Sequence, residues 1–120
     1  MLDPLVVPAE TAIEMATING ARAIGKENLI GSLEVGKKAD FISIDTNSPR
    51  LVPNTNPVST VVYSACGMDV DNVVIDGKIV VQDRVIKTMN EQEILDQAKK
   101  TVLQVLAKTG IENKSRWKTV

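Results

Sequence analysis

Apolar positions along this chain change period several times, and each change marks an element. Phe41-Ile42-Ser43-Ile44-Asp45 is a short aromatic and β-branched run bounded by turn residues. It predicts a strand covered on most sides. Further on, Val73-Val74-Ile75 and Ile79-Val80-Val81 flank Asp76-Gly77. Asp-Gly between two β-branched runs predicts a hairpin with a type I′ turn. Gln82-Asp83-Arg84 predicts another bend before Val85 and Ile86. Leu33 and Val35 alternate around Glu34 as in a short strand.

Helical spacing governs the rest. Pro8 suits a first helical position, with Glu10 near the positive helix end and Ala12, Ile13, Met15 and Ala16 as an apolar stripe. Thr17 is expected to cap a second short helix, Ile18 to Ile24, closed by Gly25, with a break near Thr17. Thr46 to Asn56 carries Pro49 and Pro53 and reads as a surface loop. Val58, Val61, Val62 and Ala65 recur at helical intervals after Pro57, which outweighs the strand propensity of Thr60 to Tyr63. Asn90 starts a long last helix, with Glu93 completing a capping box. Ile94, Leu95, Ala98, Val102, Val105 and Leu106 form its expected buried stripe, Lys99, Lys100 and Lys108 follow the helix dipole, and Gly110 ends it. Glu112 to Val120 is a polar, basic tail around Trp117.

Composition narrows the function classes. At 120 residues the chain is one domain or a piece of one. Apolar residues make up 43%, but aromatic ones only 2%, so Ile, Val, Leu and Ala must fill any core. A net charge of −1 gives no broad drive toward nucleic acid or anionic membrane. The single Cys66 excludes an intrachain disulfide and fits a reducing, cytoplasmic setting. Met1-Leu2-Asp3-Pro4 does not read as a secretory leader, and no apolar run is long enough to span a bilayer.

Candidate chemistry is sparse. The chain has no histidine, and zinc catalysis on C–N bonds leans on imidazole ligands. With one Cys and no His, a standard catalytic zinc site cannot be assembled within it. Asp69, Asp71 and Asp76 lack the glycine and bidentate Glu spacing of a Ca²⁺ loop. Lys37-Lys38 is read as a solvated basic turn rather than a phosphate site, and Asn19, Gly20 and Arg22 as packing and solvation. Tyr63 is expected to pack, and Cys66 to be semi-buried without a partner for nucleophilic work. The expected site list is therefore empty: no catalytic, cofactor-binding or metal-ligating residue.

One resemblance organises these elements. Ala16-Thr17-Ile18-Asn19-Gly20-Ala21-Arg22-Ala23-Ile24-Gly25 precedes Ile30-Gly31-Ser32-Leu33-Glu34-Val35-Gly36-Lys37-Lys38-Ala39-Asp40. Asn56-Pro57-Val58 and Val70-Asp71-Asn72-Val73-Val74-Ile75-Asp76-Gly77-Lys78 follow. Together they resemble the C-terminal segment of the amidohydrolase superfamily, in the branch of 5-methylthioadenosine/S-adenosylhomocysteine deaminases, guanine deaminases and chlorohydrolases. The resemblance implies an α+β piece: the last helices of a TIM-like barrel over residues 1–29, a composite β-sandwich segment with its hairpin over 30–88, a C-terminal helix over 89–110, and a tail over 111–120. It implies a metal-dependent hydrolase of carbon–nitrogen bonds, a deaminase of purine-like substrates, with zinc or iron in the full-length enzyme. The metal ligands of such enzymes lie upstream of the matched region, so this piece is expected to be inert alone. Its implied partner is the missing N-terminal, barrel part, with homo-oligomers or strand exchange expected in isolation. A different reading of the same residues is a small, non-catalytic α+β interaction module.

Overall fold

The computed structural model describes residues 6–111. The chain divides into two units, Met1–Thr88 and Met89–Val120.

The first unit opens with α1 (Ala9–Ala16) and α2 (Ile18–Ala23). Pro8, expected at the first helical position, stands at the N-cap instead, with Ala9 the first helical residue and Glu10 in the first turn. The break falls at Thr17, whose φ of −125° and ψ of −100° leave the helical region. Thr17 does not cap α2 with its side chain, as the sequence suggested. Its Oγ1 turns back and donates to the Ile13 carbonyl at 2.7 Å, the competing bond open to a hydroxyl late in a helix. Gly31 then brings the backbone hard against α2. A Cβ there would lie 2.8 Å from Ala21 Cβ and 2.9 Å from Ile18 Cα, at a φ of +91°.

Leu33 to Val35 is not a strand. The segment is a turn in which the Lys37 N–H donates to the Glu34 carbonyl at 3.1 Å, and both apolar side chains are exposed. Local side-chain bonds among Ser32, Glu34 and Lys37 hold this turn, and period-two alternation over three residues is too little to oppose them.

Four antiparallel strands form one sheet in the order β1 (Phe41–Ile44), β2 (Val70–Ile75), β3 (Lys78–Gln82), β4 (Val85–Ile86). Asp76 and Gly77 both take positive φ, 51° and 74°, as a type I′ turn requires. Asp83 and Arg84, at 50° and 63°, make the next turn equally tight. The register sets Phe41, Val74 and Ile79 side by side on one face. It sets Ile42, Val73, Val81 and Ile86 on the other. Both faces are therefore apolar, which is a sheet built to be covered twice. The expectation that β1 is covered fails within this chain: Phe41 is 43% exposed and Ile42 54%.

Between β1 and β2 runs the expected loop, then α3 (Pro57–Tyr63). Pro57 holds the first helical position, and Asn56 Oδ1 accepts the Ser59 N–H at 3.1 Å. Tyr63 and Cys66, expected to pack and to be half-buried, are exposed instead. Among the described residues the buried apolar side chains are only Ala9, Ala21 and Leu51.

The second unit is α4 (Glu91–Thr109). Asn90 Oδ1 accepts the Glu93 N–H at 3.2 Å, while the Glu93 carboxylate accepts from Gln97 Nε2, so only half of the capping box forms. Gly110 closes the helix at a φ of 65°. The stripe expected to be buried is not: Ile94, Leu95, Val102 and Val105 are all exposed, and Leu106 is half-covered. No helix among the described residues is long and apolar enough to cross a membrane. The tail around Trp117, Glu112 to Val120, and the lead Met1 to Leu5 lie outside the described residues.

Candidate functional site

Three polar clusters and two open apolar surfaces are the features from which a site could be made. The first cluster joins residues far apart in sequence. Asp69, 4% exposed, accepts Arg50 NH2 on Oδ1 at 2.7 Å and the Cys66 N–H on Oδ2 at 2.9 Å. Arg50 NH1 also donates to Cys66 Sγ at 3.1 Å. The Cys66 N–H, with the Arg50 guanidinium behind it, holds the Asp69 carboxyl below the usual carboxylate range. Both carboxylate oxygens are occupied, and the group ties the loop after β1 to the start of β2. Arg50 and Asp69 are 19 residues apart. The sequence offered Asp69 only as a cation ligand, and nothing in it pointed to Arg50.

The second cluster is local. Ser32 Oγ donates to Glu34 Oε1 at 2.5 Å, and Lys37 Nζ donates to Ser32 Oγ at 2.7 Å while pairing with Glu34 at 3.1 Å. The Ser32 hydroxyl and the Lys37 ammonium hold Glu34 below its ordinary pKa. Lys37 is thus not the solvated residue expected; its side chain is 13% exposed. Lys38 pairs with Asp76 at 3.1 Å. Both lysines are matched to carboxylates, and an incoming anion would have to displace them.

The third cluster braces the sheet edge. Arg84 NH2 reaches Asp45 Oδ2 at 2.7 Å, and Asn72 donates to both Ser43 Oγ and Asp71 Oδ2. The Asn47 N–H, then Arg84, hold Asp45 low in its range. Asp69, Asp71 and Asp76, weighed as cation ligands, are thereby parted among three different partners. Asn19 and Arg22 bond to each other at 2.8 Å on the surface of α2.

Among the described residues no group of three or more His, Cys, Asp and Glu side chains is placed to hold a metal ion. With no histidine in the sequence, this donor set does not fit a catalytic zinc.

What remains is apolar surface. A cleft of about 520 Å³ lies between α2 and the sheet, floored by Gly20, Ala21 and Gly31 and rimmed by Ile24, Leu33 and Phe41. The opposite sheet face, with Ile42 and Ile75, is open too.

Comparison with known proteins gives these surfaces a context. The profile of the amidohydrolase family matches residues 4–80. A 5-methylthioadenosine/S-adenosylhomocysteine deaminase of Syntrophus aciditrophicus is 47% identical over 104 residues, covering 87% of this chain and 24% of the relative. A 5′-deoxyadenosine deaminase of Methanobrevibacter smithii is 44% identical over 103 residues, covering 85% of this chain and 24% of the relative. An adenosine deaminase structure from Xanthomonas campestris, with bound zinc, superposes with a TM-score of 0.80 at 30% identity, over 88% of this chain and 24% of that one. The zinc complex of atrazine chlorohydrolase TrzN from Arthrobacter aurescens shares the fold at a TM-score of 0.71 and 20% identity, over 80% of this chain and 21% of that one. The chain spans about a quarter of the length of the relatives it matches.

Proposed function

Because this chain belongs to the amidohydrolase family, we propose that it is the C-terminal structural part of a metal-dependent deaminase acting on purine-like substrates, inert alone and completed by the rest of the enzyme. The observation that carries this reading is the two-faced apolar sheet. A self-sufficient domain buries its large apolar side chains, and here Ile24, Leu33, Phe41 and Ile42 stay open around a core of three small or medium residues. The coverage of the relatives says how much protein is available as a cover. A self-contained interaction module goes poorly with that exposure.

In this reading the segment up to residue 29 closes the barrel, residues 30–88 contribute to the β-sandwich, and residues 89–110 add the last helix. The catalytic metal, zinc or iron, and its ligands belong to the missing N-terminal, barrel part, and the enzyme works in the cytoplasm. This chain supplies framework: α2, pinned by Gly31, and a sheet fixed by two tight turns. In isolation its open apolar faces drive self-association.

The test is a chimera in which this chain replaces the matched quarter of the Syntrophus aciditrophicus deaminase. Ammonia release from 5-methylthioadenosine by the chimera, and none by this chain alone with Zn²⁺ or Fe²⁺, is the expected result. Metal-dependent deamination by the chain alone would refute inertness; a folded chimera without activity would refute the framework role.

A further inference from the structure

The turn between β2 and β3 carries chemistry as well as shape. Asp76-Gly77 is the one Asp-Gly pair in the chain. Aspartate before glycine is open to imide formation, because glycine has no side chain to shield its own nitrogen. The Gly77 nitrogen loses its proton and attacks Cγ of the Asp76 carboxyl group. An N–C bond forms, a C–O bond breaks, and the carboxyl oxygen leaves as water. Water then opens the five-membered imide at either carbonyl. One opening restores aspartate. The other gives β-aspartate, whose main chain runs through the former side chain and is one atom longer. The side chain of Asp76 is 59% exposed, so the water that the second step consumes is at hand.

Three bonds oppose this reaction, and all of them come from residues 38–40, the lead into β1. The Gly77 N–H donates to the Ala39 carbonyl at 3.0 Å. The proton that must leave, and the lone pair it leaves behind, therefore point at Ala39 rather than at Asp76 Cγ. The Asp76 N–H donates to Asp40 Oδ1 at 2.6 Å. Lys38 Nζ holds Asp76 Oδ1 at 3.1 Å. The peptide units on both sides of Asp76 and its carboxylate are thus tied to one short stretch of chain, and ring closure requires rotation about the bonds between them.

We propose that Asp76-Gly77 is a latent modification site, a place where the chain converts to β-aspartate, and that residues 38–40 hold it closed. Conversion would be felt in the sheet. The register pairs Ile75 with Lys78 across a two-residue loop. A type I′ loop of that length has no place for an extra main-chain atom, so β-aspartate loosens the hairpin. Release of residues 38–40 exposes the site, and the altered turn then keeps them from docking again. The proposal concerns this chain's own hairpin and is independent of what completes the enzyme.

Peptide mapping after prolonged incubation at neutral pH tests it, with β-aspartate separated from aspartate of equal mass by chromatography. A free peptide of residues 72–81 gives the unguarded rate. In the chain, β-aspartate at position 76 should accumulate about tenfold or more slowly, because the reaction waits for local opening. Lys38→Ala and Asp40→Ala should each speed it several-fold toward the rate of the peptide. Asp69→Asn weakens the fold through a tie that does not touch the turn, and should speed it less. A peptide that forms no β-aspartate removes the site. A chain that reacts as fast as the peptide, or Lys38→Ala and Asp40→Ala chains that react no faster than the parent, removes the guard. Equal acceleration by Asp69→Asn means that global unfolding sets the rate, and overturns the role given to residues 38–40. Should Asp40→Ala fail to fold, Lys38→Ala decides alone, since it removes only a half-exposed ion pair.

Discussion

At the scale of single residues, two positions bear most on whether this framework holds its shape. Gly31 needs both its positive φ and its missing Cβ, because Ala21 Cβ and Ile18 Cα stand within 3 Å of where a methyl would go. Gly36 has a similar φ of +95° but open space around it. Gly31→Ala should therefore destabilise by about 2 kcal/mol or more, through strain plus displacement of α2, and Gly36→Ala by about 1 kcal/mol, through strain alone. Thermal unfolding of the two variants side by side checks the order. Asp69 is the other position. Its folded pKa lies below the unfolded value of about 3.9. A depressed carboxyl contributes stability that is present above the unfolded value and lost as pH falls through the folded one. The Arg50–Asp69 contact should therefore loosen below about pH 4 and be indifferent to pH near neutrality. Asp69→Asn should be less stable at pH 7 and show a shallower acid limb when unfolding is followed across pH.

At the scale of elements, local signals were legible wherever the sequence names its own backbone geometry. Asp76-Gly77 specified the hairpin, Pro57 and Asn56 specified α3, and Asn90 and Gly110 bounded α4. Replacing Asn90 by Ala should cost α4 about 1 kcal/mol, because Asn90 accepts the Glu93 N–H and the return bond of a full capping box is absent. Circular dichroism of Asn90→Ala against Glu93→Ala measures this, the second change being expected to matter less. Burial was not legible in the same way. Periodicity says which side of an element is apolar. It does not say whether the covering layer is encoded in the same chain. Phe41, Ile42 and the stripe of α4 were expected to be covered and Tyr63 to pack, and within this chain all but the half-covered Leu106 lie exposed. Leu33 to Val35 failed differently: three alternating residues were read as a strand, and a side-chain network of Ser32, Glu34 and Lys37 made a turn of them. The Arg50–Asp69 tie was invisible, since a contact across 19 residues leaves no periodic trace.

At the scale of the whole molecule, exposed apolar area becomes a statement about assembly. A monomer in water rarely leaves a contiguous apolar patch of more than a few hundred Å², and here both faces of one sheet and a cleft of about 520 Å³ beside α2 are open. Hydrophobic association is non-directional and grows with area, so the isolated chain should form concentration-dependent oligomers by light scattering. Charge at the rim supplies the control. Leu33 lies on the rim of the cleft, exposed and in a turn held by its neighbours' polar bonds, so Leu33→Lys removes apolar area without opening a core. If the faces drive association, Leu33→Lys should shift the oligomers toward monomer with an unchanged melting temperature. If the rest of the enzyme covers the cleft, the same change in the chimera should lower stability, because a lysine would then be buried unpaired. A substitution neutral to the isolated fold and harmful to the completed enzyme is the signature of a surface made for a neighbour. A strictly monomeric chain at high concentration, with Leu33→Lys indistinguishable from the parent in both settings, would show that this surface has no such partner.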